Sequence, residues 1–386
     1  MNARVDNPDI LSLVIFIDAL GWEVLRDRAF MEEELPYRKK LRSVFGFSSA
    51  CIPSILTGRM PEDHKHWSFF YYDPKNSPFK PLRLLNILPK SVVDRGRVRN
   101  AISKVVKKAY GFEGYFQLYN IPFKHAHLFD YCEKTDLFSA GGMNEGPNIF
   151  DYLEEAERLY HVSNWRASEE ENLNSLRQDI ANKRMNFGFL YMAAMDALLH
   201  KVGKESPLVD EKLAWYEEKL RQIIAEAREN YKDVRLFVCS DHGMATIHTH
   251  LDLMSEIESL GLVFGVDYTA TYDSTMGRFW FHSEAARVAI TKALAGQTSG
   301  KILSRDELKK LGCAFEGDQF GELIFLADPG VLILPSHMGT SPITGMHGYH
   351  PDDPDSDASL LSNVEPGVEV HGIQDVFFLM RSEAGV

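Results

Sequence analysis

The stretch "LSLVIFIDALGW", residues 11–22, decides how the chain folds. An apolar run from Leu11 to Ile17 ends on an acid, Asp18, and then on a small, flexible Ala-Leu-Gly. A run this short and this apolar reads as a strand buried on both faces, as strands of a parallel sheet are. Two more segments repeat the pattern. "FGFLYM" at 187–192 runs on to Asp196, and "VRLFVC" at 234–239 runs through Ser240 into Asp241 and His242. A fourth run, "VFFLM" at 376–380, is expected to be a strand as well. "NIFDYLEEAERL" and "DEKLAWYEEKLRQIIAEAREN" carry apolar residues at helical spacing. Strands alternating with helices predict an α/β fold with a mostly parallel sheet and helices on both faces.

Two regions break that rhythm. Residues 68–145 are rich in aromatics, Pro and Lys/Arg, as in "SFFYYDPKNSPFKPLRLL", and are expected to be an insertion capping a site. Residues 250–335 form a second excursion with strand candidates "GRFWF" and "ELIFLA". "PDDPDSDASLLS" at 351–362 reads as a loop. With 386 residues, the expectation is a single catalytic domain, 1–386, carrying both inserts. The formal net charge of −13 speaks against stable nucleic-acid binding. It would also repel an anionic substrate, so local positive charge is needed, and bound metal ions supply it. No apolar run is long enough to span a bilayer. The start of the chain lacks the features of a secretory signal, and four cysteines without paired spacing fit reduced thiols, so a cytoplasmic location is expected.

In open parallel sheets, ligands bind beyond the carboxyl ends of the strands. Asp18, Asp196, Asp241 and His242 all fall there. "DALLH" sets Asp196 and His200 four apart, on one face if helical, so that both can share a metal. "GMHGYHP" frames His347 with glycines that allow close approach. A mixed Asp/His set without thiolates suits hydrolytic zinc or manganese. Each acid alone would be an ordinary strand-end cap; the set together is not.

The order "FIDALGW", "SSACIPSILTGRMPEDH", "MDALLH", "SDHGM", "GMHGYHP" resembles the alkaline phosphatase superfamily, and more narrowly its type I phosphodiesterase/nucleotide pyrophosphatase branch. The resemblance implies a three-layer α/β/α fold and two divalent metal ions, with Zn2+ favoured and Mn2+ as the alternative. One ion would be held by Asp196, His200 and His347, the other by Asp18, Asp241 and His242, with a hydroxyl nucleophile between them. It implies a hydrolase cleaving phosphodiester or pyrophosphate bonds of a small phosphorylated substrate through a covalent intermediate.

In that pattern the nucleophile opens a helix nine residues before a Thr-Gly, which selects Ser48 from Thr57. The helix start adds N–H groups for a phosphoryl oxygen. Pro53 sits slightly too deep for a helix capped at Ser48, which keeps Ser49 as the second choice. An asparagine of the pattern, three residues after the nucleophile, is Cys51 here. This departure leaves a phosphomonoesterase or phosphotransferase open as the alternative. "CIPS" also resembles the sulfatase C-x-P-S, but Ile55 stands where an arginine is required. A non-catalytic metal-binding relative is the rival outside enzymes. Phe69, Phe70, Tyr71 and Tyr72 could stack a flat group or pack as core; His64 and His66 could line the site or pack. The basic segment 95–108 is either a steering patch or a solvated helix face.

Overall fold

The computed structural model describes residues 9–87 and 95–386. Residues 1–8, where the stretch read against a secretory signal begins, and residues 88–94 of the first insertion lie outside the described residues. The central sheet has six strands: β1 (Ile10–Ile17), β2 (Tyr37–Leu41), β3 (Tyr160–Val162), β4 (Phe187–Met192), β5 (Asp233–Cys239) and β6 (Ala358–Ser362). Their order is β2-β6-β5-β1-β4-β3. β1 runs parallel to β4 and β5, and β3 parallel to β4, while β6 is antiparallel to both β5 and β2.

β1 is buried from Leu11 to Ile17, which is why it reads as a continuous apolar run. Val14 and Phe16 pack on one face with α1 (Ser48–Thr57), α2 (Ile149–Glu155) and α6 (Val376–Ala384). Leu13, Ile15 and Ile17 pack on the other with α3 (Glu169–Ala181), α4 (Ala194–Val202) and α5 (Pro207–Asn230). The result is three layers, helices on a sheet on helices. The one polar residue of β1's run, Ser12, donates to Glu383 at 2.6 Å on the far side of the chain.

Two sequence expectations need correction. "VFFLM" is the start of helix α6, not a strand. Val376, Phe377, Leu379 and Met380 are buried while Phe378 is half exposed, a helical face, and Gly385 closes it in the left-handed region. A short apolar run does not separate strand from buried helix by periodicity. "PDDPDSDASLLS" is not all loop: its second half is β6, a fully buried interior strand. Its serines survive burial because Ser359 donates to the Leu20 carbonyl and Ser362 to that of Val364, each at 2.5 Å.

Beyond the sheet, Tyr268–Tyr272, Met276–Phe281, Leu323–Ala327 and Gly300–Ile302 form a separate four-stranded antiparallel sheet. The described residues of the 68–145 segment pack around an aromatic cluster of Phe70, Phe79, Phe112, Phe116 and Tyr131, into which Trp280 of the second sheet inserts. The basic segment is largely the helix Gly96–Tyr110, and Arg99 within it is buried over the Phe123 ring at 4.4 Å. Among the described residues, no helix is long and apolar enough to cross a membrane.

Candidate metal centre and its cavities

The register of the sheet brings the predicted residues together. Ile17 pairs with Met192 and Phe16 with Cys239, so β1, β4 and β5 end side by side. Asp18 follows β1 directly, Asp196 lies in the first turn of α4, and Asp241 and His242 follow β5. The β1 and β5 loops pass so closely that a Cβ on Gly21 would lie 2.2 Å from the Gly243 Cα. Only a glycine fits there.

Each of the three carboxylates presents an oxygen that is buried and has no hydrogen-bond partner, and Asp18 and Asp241 are tied at the other. Asp18 Oδ2 accepts from the Tyr191 hydroxyl at 2.7 Å, while Oδ1 lies 3.6 Å from His242 Nε2. Asp241 Oδ1 accepts from the Ala19 and His242 backbone N–H groups at 3.2 and 3.0 Å, while Oδ2 lies 3.2 Å from His242 Nε2. Asp196 Oδ1 lies 3.3 Å from His200 Nε2 and 3.5 Å from His347 Nε2. Asp18 Oδ1, Asp241 Oδ2 and Asp196 Oδ1 are all buried without a hydrogen bond, and so is His347 Nδ1. Buried carboxylate oxygens left this way are costly unless a cation takes them.

The donor atoms of Asp18, Asp241 and His242 lie within 4.8 Å of one another, and so do those of Asp196, His242 and His347. His200 joins through Asp196. Its ring and that of His347 are 5.1 Å apart, and the His242 and His347 rings stack at 3.7 Å. His242 Nδ1 pairs with the Gly243 carbonyl and His200 Nδ1 with that of Gly345, both at 2.9 Å. Donation from those nitrogens turns each Nε2 lone pair toward the cluster, the arrangement metal-ligating imidazoles adopt.

The electrostatics agree. Burial first, then the charges of Asp241 and Asp196, lift the Asp18 carboxyl well above its ordinary range. Burial likewise raises Asp196. Burial alone would lower His242, but Asp241, Asp18 and Asp196 outweigh it and push the ring up to about 10. His347, by contrast, is held well below its usual value by burial and by the neighbouring His242 and His200, so it stays neutral. Carboxylates crowded enough to favour a positive charge on the buried His242, with the neutral His347 beside them, fit divalent cations.

The two serines diverge. Ser48 is the first residue of α1, one place later than a cap, and its Oγ is 3.1 Å from His242 Nε2. Ser49 turns away, its Oγ donating to the Trp67 carbonyl at 3.0 Å. Pro53 is therefore deeper in the helix than a Ser48 cap would put it. The helix continues past it, buried from Ser49 to Thr57, with Thr57 Oγ1 donating to the Pro53 carbonyl at 2.7 Å. Tertiary packing overrides local propensity there. Cys51 is buried beneath the helix, its sulfur near Ser43 Oγ (3.6 Å) and the Val44 carbonyl (3.9 Å). His64 and His66 are also wholly buried: His64 pairs with Ser54 Oγ at 3.0 Å, and His66 accepts from the Asn144 N–H at 2.9 Å.

Ser48 opens onto two cavities. One, about 360 Å³, is walled by Phe69, Tyr119, Phe138, Trp165 and Tyr191 and also contacts Glu133. The other, about 410 Å³, lies toward His200, His347, Ser68, Ser274 and Met338. Phe69 borders both, while Phe70 is locked in the aromatic core. Tyr191 and Glu133 escaped the sequence analysis. Tyr191 left a trace, as the sole hydroxyl in an apolar strand; Glu133 left none.

A mostly parallel sheet with an Asp/His cluster and a serine at its carboxyl edge defines an alkaline phosphatase-like phosphoric ester hydrolase. The family model for type I phosphodiesterase / nucleotide pyrophosphatase matches residues 12–350, and the chain belongs to that family. Among solved structures it is similar to murine ectonucleotide pyrophosphatase/phosphodiesterase 5 (ENPP5), with a TM-score of 0.70 at 17% identity over 97% of this chain and 95% of that one. An inactive variant of the murine protein in complex with AMP gives 0.68 at 17% over 98% and 95%, and human ENPP5 gives 0.68 at 16% over 97% and 95%. No curated protein sequence matches the chain.

Proposed function

We propose that the chain is a metal-dependent phosphodiesterase in which Ser48 is the nucleophile. The observation that carries this reading is Ser48 Oγ, 3.1 Å from His242 Nε2, the same nitrogen that lies 3.6 and 3.2 Å from the buried carboxylate oxygens of Asp18 and Asp241. Two divalent cations, zinc or alternatively manganese, would be held by Asp18, Asp241, His242 and Ser48 on one side and by Asp196, His200 and His347 on the other, and would supply Lewis-acid charge and a lowered hydroxyl pKa. Ser48 Oγ forms a bond to phosphorus, the opposite ester oxygen leaves as an alcohol, and water later releases the phosphoryl group and restores the serine. Tyr191 holds Asp18 in place through its hydroxyl. The first N–H groups of α1 lack partners inside the helix and suit a phosphoryl oxygen.

Two cavities meeting at Ser48 support a diester over a monoester, because a diester has two arms to accommodate. The complex of the murine neighbour with AMP supports a phosphate-bearing ligand. Cys51, sealed under α1, lines neither cavity, which speaks against a sulfatase nucleophile there; the phosphate contact of the pattern's asparagine is missing, and the monoesterase or phosphotransferase stays the alternative. On the same reading, residues 1–386 act as one catalytic domain, with 68–145 and 250–335 as cap segments supplying the cavity walls. The test is a comparison of initial rates on a chromogenic phosphodiester, phosphomonoester and sulfate ester, with protein stripped of metal and reloaded. The diester is expected to win and to depend on metal. A faster monoester would overturn the substrate class.

A further inference from the structure

The smaller cavity contains an acidic side chain that the chemistry at Ser48 does not use. Glu133 is 4% exposed and borders the space beside Phe69, Tyr115, Tyr119, Phe138 and Trp165. Among the described residues its carboxylate has no hydrogen bond and no ion pair. Burial lifts it to about 8, and no neighbouring charge offsets that. The nearby cations are committed elsewhere. Lys107 and Arg166 lie on the Trp165 ring at 5.2 and 4.2 Å, but Lys107 Nζ is held by the Gly114 carbonyl at 2.6 Å and Arg166 by Asp136 at 2.9 Å. Lys134 pairs with Asp130 at 2.6 Å. No Lys, Arg or His borders this cavity among the described residues.

A buried acid boxed in by aromatic faces is complementary to one kind of ligand. Aromatic rings attract a cation through their electron-rich faces, and the effect grows when water is excluded. A carboxylate in the same box repays its desolvation only when a positive charge joins it. The same walls disfavour a second phosphate, which would meet an acid and no basic side chain.

We infer that Glu133 and its aromatic walls form a subsite for a positively charged organic ammonium arm of the phosphodiester substrate. The inference rests on the proposed phosphodiesterase reading, and names which diester the site takes.

Two esters of one leaving group test it on the metal-loaded protein: para-nitrophenyl trimethylammonioethyl phosphate and its uncharged neohexyl isostere, with carbon in place of nitrogen. Wild type is expected to favour the ammonium ester in kcat/KM by about tenfold. Glu133→Gln is expected to bring the ratio near one, a loss of discrimination between two esters that a general folding defect, slowing both alike, would not produce. Equal wild-type rates, or a preference untouched by Glu133→Gln, overturn the inference. So does a para-nitrophenyl thymidine phosphate cleaved faster than the ammonium ester, which assigns the cavity to a nucleoside. Binding of tetramethylammonium, followed by calorimetry on wild type and Glu133→Gln, decides the matter without turnover. If no ester is cleaved yet tetramethylammonium binds only wild type, the subsite stands and the phosphodiesterase reading fails. If it binds neither or both equally, the subsite fails.

Discussion

Ser48 Oγ and His242 Nε2 lie 3.1 Å apart, although 194 residues separate them. That contact exists because β1 and β5 are neighbours in register and α1 begins opposite their ends. Ser49, the very next residue, faces the Trp67 carbonyl instead. The pair gives a clean comparison. Ser48→Ala is expected to reduce diester turnover by about a thousandfold or more, as loss of a nucleophile does. Ser49→Ala is expected to cost about 1 kcal/mol of stability for one buried hydrogen bond, with activity within a few-fold of wild type. Steady-state rates and denaturant titration on both variants check this. Inactivity confined to Ser49→Ala would reverse the assignment.

Metal removal is expected to abolish turnover and lower thermal stability together. Asp18, Asp196 and Asp241 each present a buried carboxylate oxygen with no hydrogen bond, and cations binding only the folded chain stabilise it by mass action. At a hundred times the dissociation constant that is about 2.7 kcal/mol. Scanning calorimetry with chelator, then with zinc or manganese restored, reads it directly. A Tm unchanged by chelation would speak against metal at this cluster.

How much of this was legible in the sequence follows from where the residues sit. Asp18, Asp241 and His242 were readable because they end strands buried on both faces, where a charged residue interrupts an unmistakable apolar run. Asp196 and His200 were readable because a helical pair four apart shares a face. β6 was not, because its serines look like loop residues until their acceptors, the Leu20 and Val364 carbonyls, are known. Helix α6 was misread because five apolar residues carry no usable period. Glu133 was invisible for a different reason. Its burial depends on a cap folded from segments far apart in the chain, and nothing in "YCEKTD" distinguishes it from a surface acid.

Glu133 also predicts a pH dependence. Its folded pKa, about 8, exceeds the ordinary value of 4.5. The folded chain therefore holds this proton more tightly than the unfolded chain. The stability it contributes is fully present below about pH 4.5 and is lost as pH rises through about 8. Glu133→Gln removes the titration. Denaturant titrations of both proteins from pH 6 to pH 9 (about the window in which the buried group ionises) are expected to show the variant gaining on wild type as pH rises. Parallel curves would mean that the carboxyl ionises without cost.

The last prediction concerns what joins the two inserted regions. Arg278 and Asp273 are both fully buried, with Nε donating to Asp273 Oδ2 at 2.8 Å. The same guanidinium donates to the Phe320 carbonyl at 3.0 Å and, from its other nitrogen, to Ser68 Oγ and the Phe70 carbonyl at 2.9 Å. One side chain thus pins the start of the 68–145 segment to the antiparallel sheet, next to the Phe69 that borders both cavities. Arg278→Met leaves Asp273 buried without its partner and strips three backbone and side-chain acceptors of their donor. Breaking one half of a buried pair costs about 3–5 kcal/mol, more than the pair itself contributes. The double variant Asp273→Asn with Arg278→Met removes the orphaned charge and is expected to recover part of that loss. Denaturant titration of the two variants against wild type measures both terms. A double variant no more stable than Arg278→Met would mean that the acceptor bonds to Phe70, Phe320 and Ser68, rather than the charge pair, hold the cap in place.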